Sequence, residues 1–519
     1  MSAATTAVAA PASAEPNRAL ITVCAMAATL MQALDGTIAN VALPYMQGGL
    51  SSTADQVTWV LTSYIVAAAI MTSPVGALAA RYGRKRIFLV SVGGFTFASL
   101  LCGAAQSLEQ MVLFRLLQGA FGAALVPLSQ ATMLDIYPPA RRGSAMAVWG
   151  MGVMLGPILG PTLGGWLTES YNWRWVFYVN LPVGLFAFAG LWIFLREDRP
   201  AHARSFDWFG FTALSLGIGA LQLMLDRGQR EDWFTSTEIL IEAGLAALGL
   251  WLFLVHLLTA ERPFIPPRIF KDLNFLSAFF MMFVVGAILF STSALLAPYL
   301  QTLGGYPVFD AGLVMAPRGV GTMAAMMVAG RLADRVDPRM LMLFGVGVIA
   351  WTMWDMTGWT PDLSQHQLML VTAAQGFGLG FIFIPLQVVA FATLPPEMRT
   401  DGTALTSLVR NIGSAIGIST TIAVLEHDTQ VLHAEIASNV GPLNRMLHLS
   451  GVSQYWDPTT TAGAAMLNDE VTRQAQIMAY ANDFHLLLLL CIPTAALVLM
   501  MRRPGGPRPA ADPAHAAMD

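Results

Sequence analysis

Charge is scarce along this chain, and cysteine is scarcer. Asp, Glu, Lys and Arg make up only 12% of the 519 residues, about half the share of a soluble domain, so a water-soluble globular fold is excluded. The three cysteines, Cys24, Cys102 and Cys491, stand in separate apolar runs. That leaves neither a disulfide framework nor a metal-ligand spacing. The HExxH, Walker-loop and nucleophile-elbow patterns are missing as well, and no polar stretch is long enough for a catalytic or signalling domain. The chain does not read as an enzyme, and no metal or organic cofactor is expected. Its basic residues are scattered through short groups, which argues against nucleic acid as a partner. The net charge of −4 selects no partner either.

What the chain has is hydrophobic length: 55% of its residues are apolar and its mean hydropathy is +0.59. Runs long enough to cross a bilayer occur about fourteen times, at roughly 20–44, 56–80, 87–106, 109–134, 144–168, 174–195, 207–226, 237–260, 275–301, 309–330, 340–358, 367–394, 401–425 and 481–501. An all-α polytopic membrane protein is expected. Alternate connections separate by charge. One set carries about twenty Lys and Arg and the other about five, which places both termini of a multi-pass membrane protein in the cytoplasm. Residues 1–19 read as a cytoplasmic tail, since they lack the basic start and apolar core of a signal peptide. Residues 502–519 read as a second tail. The polar segment 426–480 reads as an external loop with a short surface helix.

Within the fifth run, Gly152, Gly156, Gly160 and Gly164 recur every fourth residue, with Pro157, Pro161 and Gly165 among them. On a helix these glycines form a stripe without side chains that a neighbouring helix can approach closely. The prolines remove backbone donors and loosen the turn before them. The expectation is a bendable gate helix packed against a neighbour from the second half of the chain.

The chain also repeats itself. Gln118, Gly119, Pro127, Pro138 and Arg142 recur in order as Gln375, Gly376, Pro385, Pro395 and Arg399, and Gly76–Arg81 is matched by Gly330–Arg335. The offset of roughly 255 residues keeps the same sidedness. Two six-helix halves, 20–195 and 275–501, with two additional spans in 196–274, fit this spacing. Halves related by an axis along the membrane normal place a substrate site near the midplane between them.

Ionisable groups inside the spans are few, and each is costly unless paired or wetted. Asp35 lies halfway along the first span, where burial makes its charge expensive, as a reversible proton carrier requires. Arg115 cannot lose its proton and serves as a fixed positive charge. Its approach would favour the Asp35 carboxylate and expel a proton; its withdrawal would let one return. Structural roles for both residues remain open. Arg318 and Arg410 either neutralise internal acids or meet an anionic group of the cargo. Gln32, Asn40, Gln118, Gln375, Gln387 and Asn411 are polar residues at membrane depth that line a cavity or bind helix to helix. Asp310 and Glu242, near external ends, read as solvated.

These residues resemble the major facilitator superfamily, in its fourteen-span drug–proton antiporter branch of EmrB/QacA-like exporters. Leu34–Pro44 resembles that branch's first-span signature, Gly76–Arg86 the superfamily's loop signature, Phe114–Gly119 the fourth-span signature and Gly152–Gly165 the antiporter signature. Trp173–Trp175 with Asn180–Pro182, Leu225–Gly228 with Asp232–Trp233, and Arg410–Gly413 are further runs typical of the branch. The resemblance implies proton-driven export of hydrophobic compounds by alternating access, powered by the proton motive force; the few acids and several arginines within the spans favour neutral or weakly acidic cargo over dications. It also implies, in two-membrane bacteria, a periplasmic adaptor and an outer-membrane channel, for which 426–482 is the natural contact. A proton symporter for a nutrient and a non-transporting sensor are the rival readings. In the loop signature Gly76, Arg81, Gly83 and Arg84 are present, but Ala80 stands where an Asp is usual. Asp334, beside Gly330 and Arg335, fills that place in the second copy. Asp135 is the expected partner of Arg84 or Arg81.

Overall fold

The apolar runs fold as helices, because a chain in lipid must satisfy its own backbone hydrogen bonds. The computed structural model describes residues 17–138, 141–196, 206–261, 263–333, 335–440, 456 and 460–501. The first copy of the repeat contains α1 (Arg18–Gly49), α2 (Trp59–Thr72 and Val75–Tyr82), α3 (Arg84–Ala104), α4 (Leu108–Gly122 and Leu125–Ile136), α5 (Arg142–Ser170) and α6 (Trp175–Tyr178 and Asn180–Phe194). Then come α7 (Trp208–Arg227) and α8 (Thr237–Thr259), which pack on each other. The second copy contains α9 (Leu273–Pro298), α10 (Val308–Leu332), α11 (Pro338–Met356), α12 (Gln365–Ala392), α13 (Arg399–Asn439) and α14 (Thr461–Met500).

Among the described residues, 11 helices are long and apolar enough to cross a membrane, or 12 if α2 counts as one span bent by 55° at Ser73–Pro74. Pro74 has no backbone donor to continue the turn. Helices α5 and α11 are long but lie outside that set. Leu185, Trp192 and Ile193 on α6, and Trp251 and Leu258 on α8, are exposed on the outside of the bundle. Water would penalise such a surface and lipid would not.

Local signals in the sequence fix the ends. Ser107, Asp207, Asp272, Ser364 and Thr460 each cap the helix that follows by accepting from its first-turn amides. Gly83 joins α2 to α3 at φ +89°, a left-handed conformation that favours glycine.

Two expectations need correction. The segment expected as an external loop, 426–480, is largely helical among its described residues: α13 continues to Asn439 and α14 begins at Thr461, while 441–455 and 457–459 lie outside the described residues. At 41 and 40 residues these helices run about 60 Å, roughly twice the thickness of a hydrocarbon core. Their extensions meet through Asn482 Nδ2 donating to Asp428 Oδ2 at 2.9 Å and through the His433–Asn468 contact at 3.1 Å. Glu242 is buried, 3.7 Å from Arg227.

Candidate functional site

The glycine stripe on α5 packs against α1 of its own copy, not against the second half as expected. A Cβ on Gly156 would lie 2.6 Å from the Ala33 carbonyl carbon and 2.8 Å from the Leu34 nitrogen. On Gly164 it would lie 3.1 Å from the Ile38 carbonyl oxygen. Thr37 Oγ1 donates to the Gly156 carbonyl at 3.2 Å, which fixes the register. Helix α5 is unbroken from Arg142 to Ser170. Gly165 faces open space.

With α5 seated on one side, α1 turns Asp35 towards α4 and α6. Asp35 and Arg115 are both completely buried, and Arg115 Nη1 donates to Asp35 Oδ2 at 2.7 Å. Gln118 Nε2 and Asn180 Nδ2 donate to Asp35 Oδ1 at 2.8 and 3.1 Å. Arg115 Nη1 also reaches Gln118 Oε1 at 2.7 Å, and its Nε donates to the Val60 carbonyl at 3.0 Å. Ser99 Oγ accepts from Gln118 and from Asn180, and donates to the Phe177 carbonyl at 2.9 Å. The guanidinium lies 4.2 Å from the Tyr64 ring centroid, where a desolvated cation gains from the ring's negative face. The carboxylate thus has three donors and a compensating charge, the conditions under which a buried ion is stable. Arg115 Nη2 has no acceptor among the described residues.

Gln118 therefore belongs to the acid site, not to an open cavity. Ser99 and Tyr64 carry no site signal in the sequence; Asn180 stands there only in a run typical of the branch, with no role attached. Gln32 neighbours the Tyr64 hydroxyl at the edge of this network, and Asn40 and Gly36 are exposed, one turn apart on α1.

At the end of the bundle that carries most of the arginines, the two copies touch. Asp135 is ion-paired with Arg84 of its own copy and with Arg399 of the other at 2.6 Å. Arg81 instead sits over the Tyr82 ring at 5.4 Å. Gly76 and Gly330 occupy matching places: a Cβ on Gly76 would lie 2.8 Å from Asp401 Cα, and one on Gly330 would lie 2.9 Å from the Gly143 carbonyl oxygen. Each brings its helix onto the start of α13 or α5 in the opposite copy. Arg335 is exposed, and Asp334 lies outside the described residues.

Gln387, expected to line a cavity, is buried between the copies and accepts from Gln130 Nε2 at 2.6 Å. Trp149 stacks on Phe383 across the same seam, with centroids 6.2 Å apart. Gln375 and Arg318 are buried too, while Arg410 and Asn411 are partly buried. A further acid, Asp483 on α14, is completely buried, and among the described residues neither carboxylate oxygen has a hydrogen-bond partner.

Residues 25–418 match the family described as Major Facilitator Superfamily. The chain belongs to the major facilitator superfamily. It is 33% identical to the multidrug export protein EmrB of Escherichia coli strain K12, over 94% of this chain and 96% of that one. It is also 33% identical to the fatty acid resistance protein FarB of Neisseria gonorrhoeae, over 92% of this chain and 96% of that one. The structure of the human organic anion transporter MFSD10 aligns with a TM-score of 0.57 at 15% identity, covering 92% of this chain and 100% of that chain; this likeness concerns the fold alone. The chain is a multi-pass transporter of the EmrB/QacA-like drug–proton antiporter branch, not an enzyme.

Proposed function

We propose that this transporter exports hydrophobic toxic compounds, neutral or weakly acidic, across the inner membrane in exchange for protons. The observation that carries the reading is the fully buried Asp35–Arg115 pair. Protonating Asp35 removes one charge of two and leaves Arg115 uncompensated in a dry site, a cost of about 3–5 kcal/mol for a broken buried pair. That cost favours a conformation in which α1 moves or water enters. Because Gly156 and Gly164 lock α1 to α5, and Gly143 of α5 touches Gly330 of α10, motion of α1 is transmitted to the seam between the copies. A proton arriving from outside thereby biases alternating access, provided the two states differ in proton affinity.

The twelve apolar spans, with α5 and α11 added, make a fourteen-span topology. Six helices form each half, α7 and α8 lie between them, and both termini are cytoplasmic by the arginine asymmetry. The seam closed by Asp135–Arg399 then lies on the cytoplasmic side. Among the described residues the buried carboxylates are Asp35, Glu242 and Asp483. The first two already face arginines, which leaves little negative charge to hold an organic dication. The proton motive force supplies the energy, with no bound cofactor. The helical extensions of α13 and α14 are the surface proposed for a periplasmic adaptor, leading to an outer-membrane channel.

A susceptibility panel tests the reading. A knockout strain gains sensitivity to hydrophobic compounds, the wild-type gene restores resistance, and Asp35→Asn does not. Full resistance from an Asp35→Asn protein present at normal levels in the membrane would exclude it.

A further inference from the structure

The two fully buried aspartates of this chain sit in opposite surroundings. Asp35 accepts from Arg115, Gln118 and Asn180. Asp483, on α14 of the second copy, is equally buried, and among the described residues neither of its oxygens has a hydrogen-bond partner. The Asp35–Arg115 pair does not explain why an acid is kept there.

The groups around Asp483 supply no compensating charge. Tyr480, one turn earlier on α14, is close enough to feel its charge, and so is Asp428 on α13. Asp428 in turn accepts from Asn482 Nδ2 at 2.9 Å. The turn that follows α9 contributes the Tyr299 ring, 5.3 Å from the Tyr480 ring. Beyond α11, Trp359 lies 6.2 Å from the Phe484 ring and donates through Nε1 to Asp355. His427 and His485 are exposed. Asp428 and Asp355 are thus the charged groups that the neighbouring helices bring here, and both are acids.

A carboxylate without donors is costly to bury as an ion and far less costly as the neutral acid. A like charge nearby adds to that cost. The ligand that relieves it is a proton: among the described residues no three His, Cys, Asp or Glu side chains are grouped to hold a metal ion. A route is present as well. A cleft of about 220 Å³ between the extensions of α13 and α14 is lined by Glu426, Gln430, Gln476 and Tyr480, and Tyr480 is also the neighbour of Asp483. We propose that Asp483 is a proton-binding site, separate from Asp35, that loads through this cleft from the external side and keeps α14 docked on α9, α11 and α13 while it is neutral. Once ionised, Asp483 draws in water and the joint loosens, so external acid tightens this end of the second copy. The sidedness rests on the export reading; the proton site does not.

The test uses the purified full-length protein in nanodiscs. At pH 6, infrared spectroscopy of the unaltered protein shows the carbonyl stretch of a neutral carboxylic acid that is lost in Asp483→Asn and kept in Asp35→Asn. Raising the pH to 9 removes it reversibly. Hydrogen exchange of the amides in 476–487, corrected for its intrinsic pH dependence, rises at least tenfold over the same range in the unaltered protein. In Asp483→Asn it stays within threefold; the exposed histidines titrate in both proteins, so the difference isolates Asp483. A band left intact by Asp483→Asn overturns the proposal, and so does the same exchange behaviour in the two proteins. Gln430→Trp, which fills the cleft, slows the loss of the band after a jump in pH at least tenfold, and an unchanged rate contradicts the route. Should Asp483→Asn not fold, Asp483→Glu decides: the band remains but shifts, and an unshifted band belongs to another acid. None of these readouts needs substrate or a gradient, so their failure is distinct from failure of the export reading, which the flux of Asp35→Asn decides.

Discussion

Gln130 and Gln387 hydrogen-bond to each other across the seam between the two copies, 257 positions apart. That spacing is the one separating Gln118 from Gln375 and Arg142 from Arg399, so matching positions of the repeat meet at the interface. Both are almost fully buried, and an exporter that opens at this end must break the contact. Gln130→Cys with Gln387→Cys, oxidised to a disulfide, should hold the seam shut. Cys24, Cys102 and Cys491 are all free, with no cysteine partner among the described residues, so the new pair is the one placed to oxidise. Transport in proteoliposomes is expected to fall at least tenfold on oxidation and to return with a reductant. Undiminished transport by the cross-linked protein would show that this seam does not open.

Asp135 holds the seam by charge, with Arg84 on its own copy and Arg399 on the other. With Ala80 in place of the usual acid, Asp135 carries the ion pairing between the copies at this level among the described residues. Partly exposed pairs contribute up to about 1 kcal/mol each, so Asp135→Asn should shift the balance towards an open seam a few-fold without unfolding the protein. A cysteine placed at the buried Ala404 is expected to react faster with a maleimide in the Asp135→Asn background. An unchanged rate would deny Asp135 this part.

The glycine stripe predicts a position-specific pattern. Gly156→Ala puts a methyl within 2.6–2.8 Å of the α1 backbone at Ala33 and Leu34, and overpacking of this kind costs about 1–3 kcal/mol. Gly165→Ala meets nothing within 4 Å and should be neutral. Thermal unfolding in detergent reads the difference: a lower midpoint for the first variant and an unchanged one for the second.

Much of this was legible from the chain. Long apolar runs announce helices because lipid permits little else, and Asp35 and Arg115 stand out because charge at membrane depth is rare. Ser99 does not stand out, and Asn180 does so only within a branch-typical run, since hydroxyls and amides in spans bond to neighbouring backbone as readily as to an acid, and only the folded packing tells which. The stripe revealed a close approach but not the helix that makes it, because a missing side chain does not name its neighbour. The extensions of α13 and α14 were read as a loop because polarity marks the exit from lipid, not the end of a helix.

Asp483 is the counter-case to Asp35: equally buried, yet with no donor to either oxygen among the described residues. An unsatisfied buried group costs about 1–3 kcal/mol. Asp483→Leu should therefore unfold at the same or a higher temperature at pH 9, whereas Asp35→Leu, which strands Arg115, should unfold lower. A marked fall for Asp483→Leu would reveal a stabilising partner for this carboxylate.

The central claim is that protonation of Asp35 drives the cycle. Its most direct measurement is substrate flux in proteoliposomes with and without an imposed proton gradient, for the wild type and for Asp35→Asn. The expected result is a wild-type flux that rises severalfold with the gradient, and an Asp35→Asn protein that binds substrate and equilibrates it downhill at a rate indifferent to the gradient. Gradient-driven accumulation by Asp35→Asn at the wild-type level would contradict it.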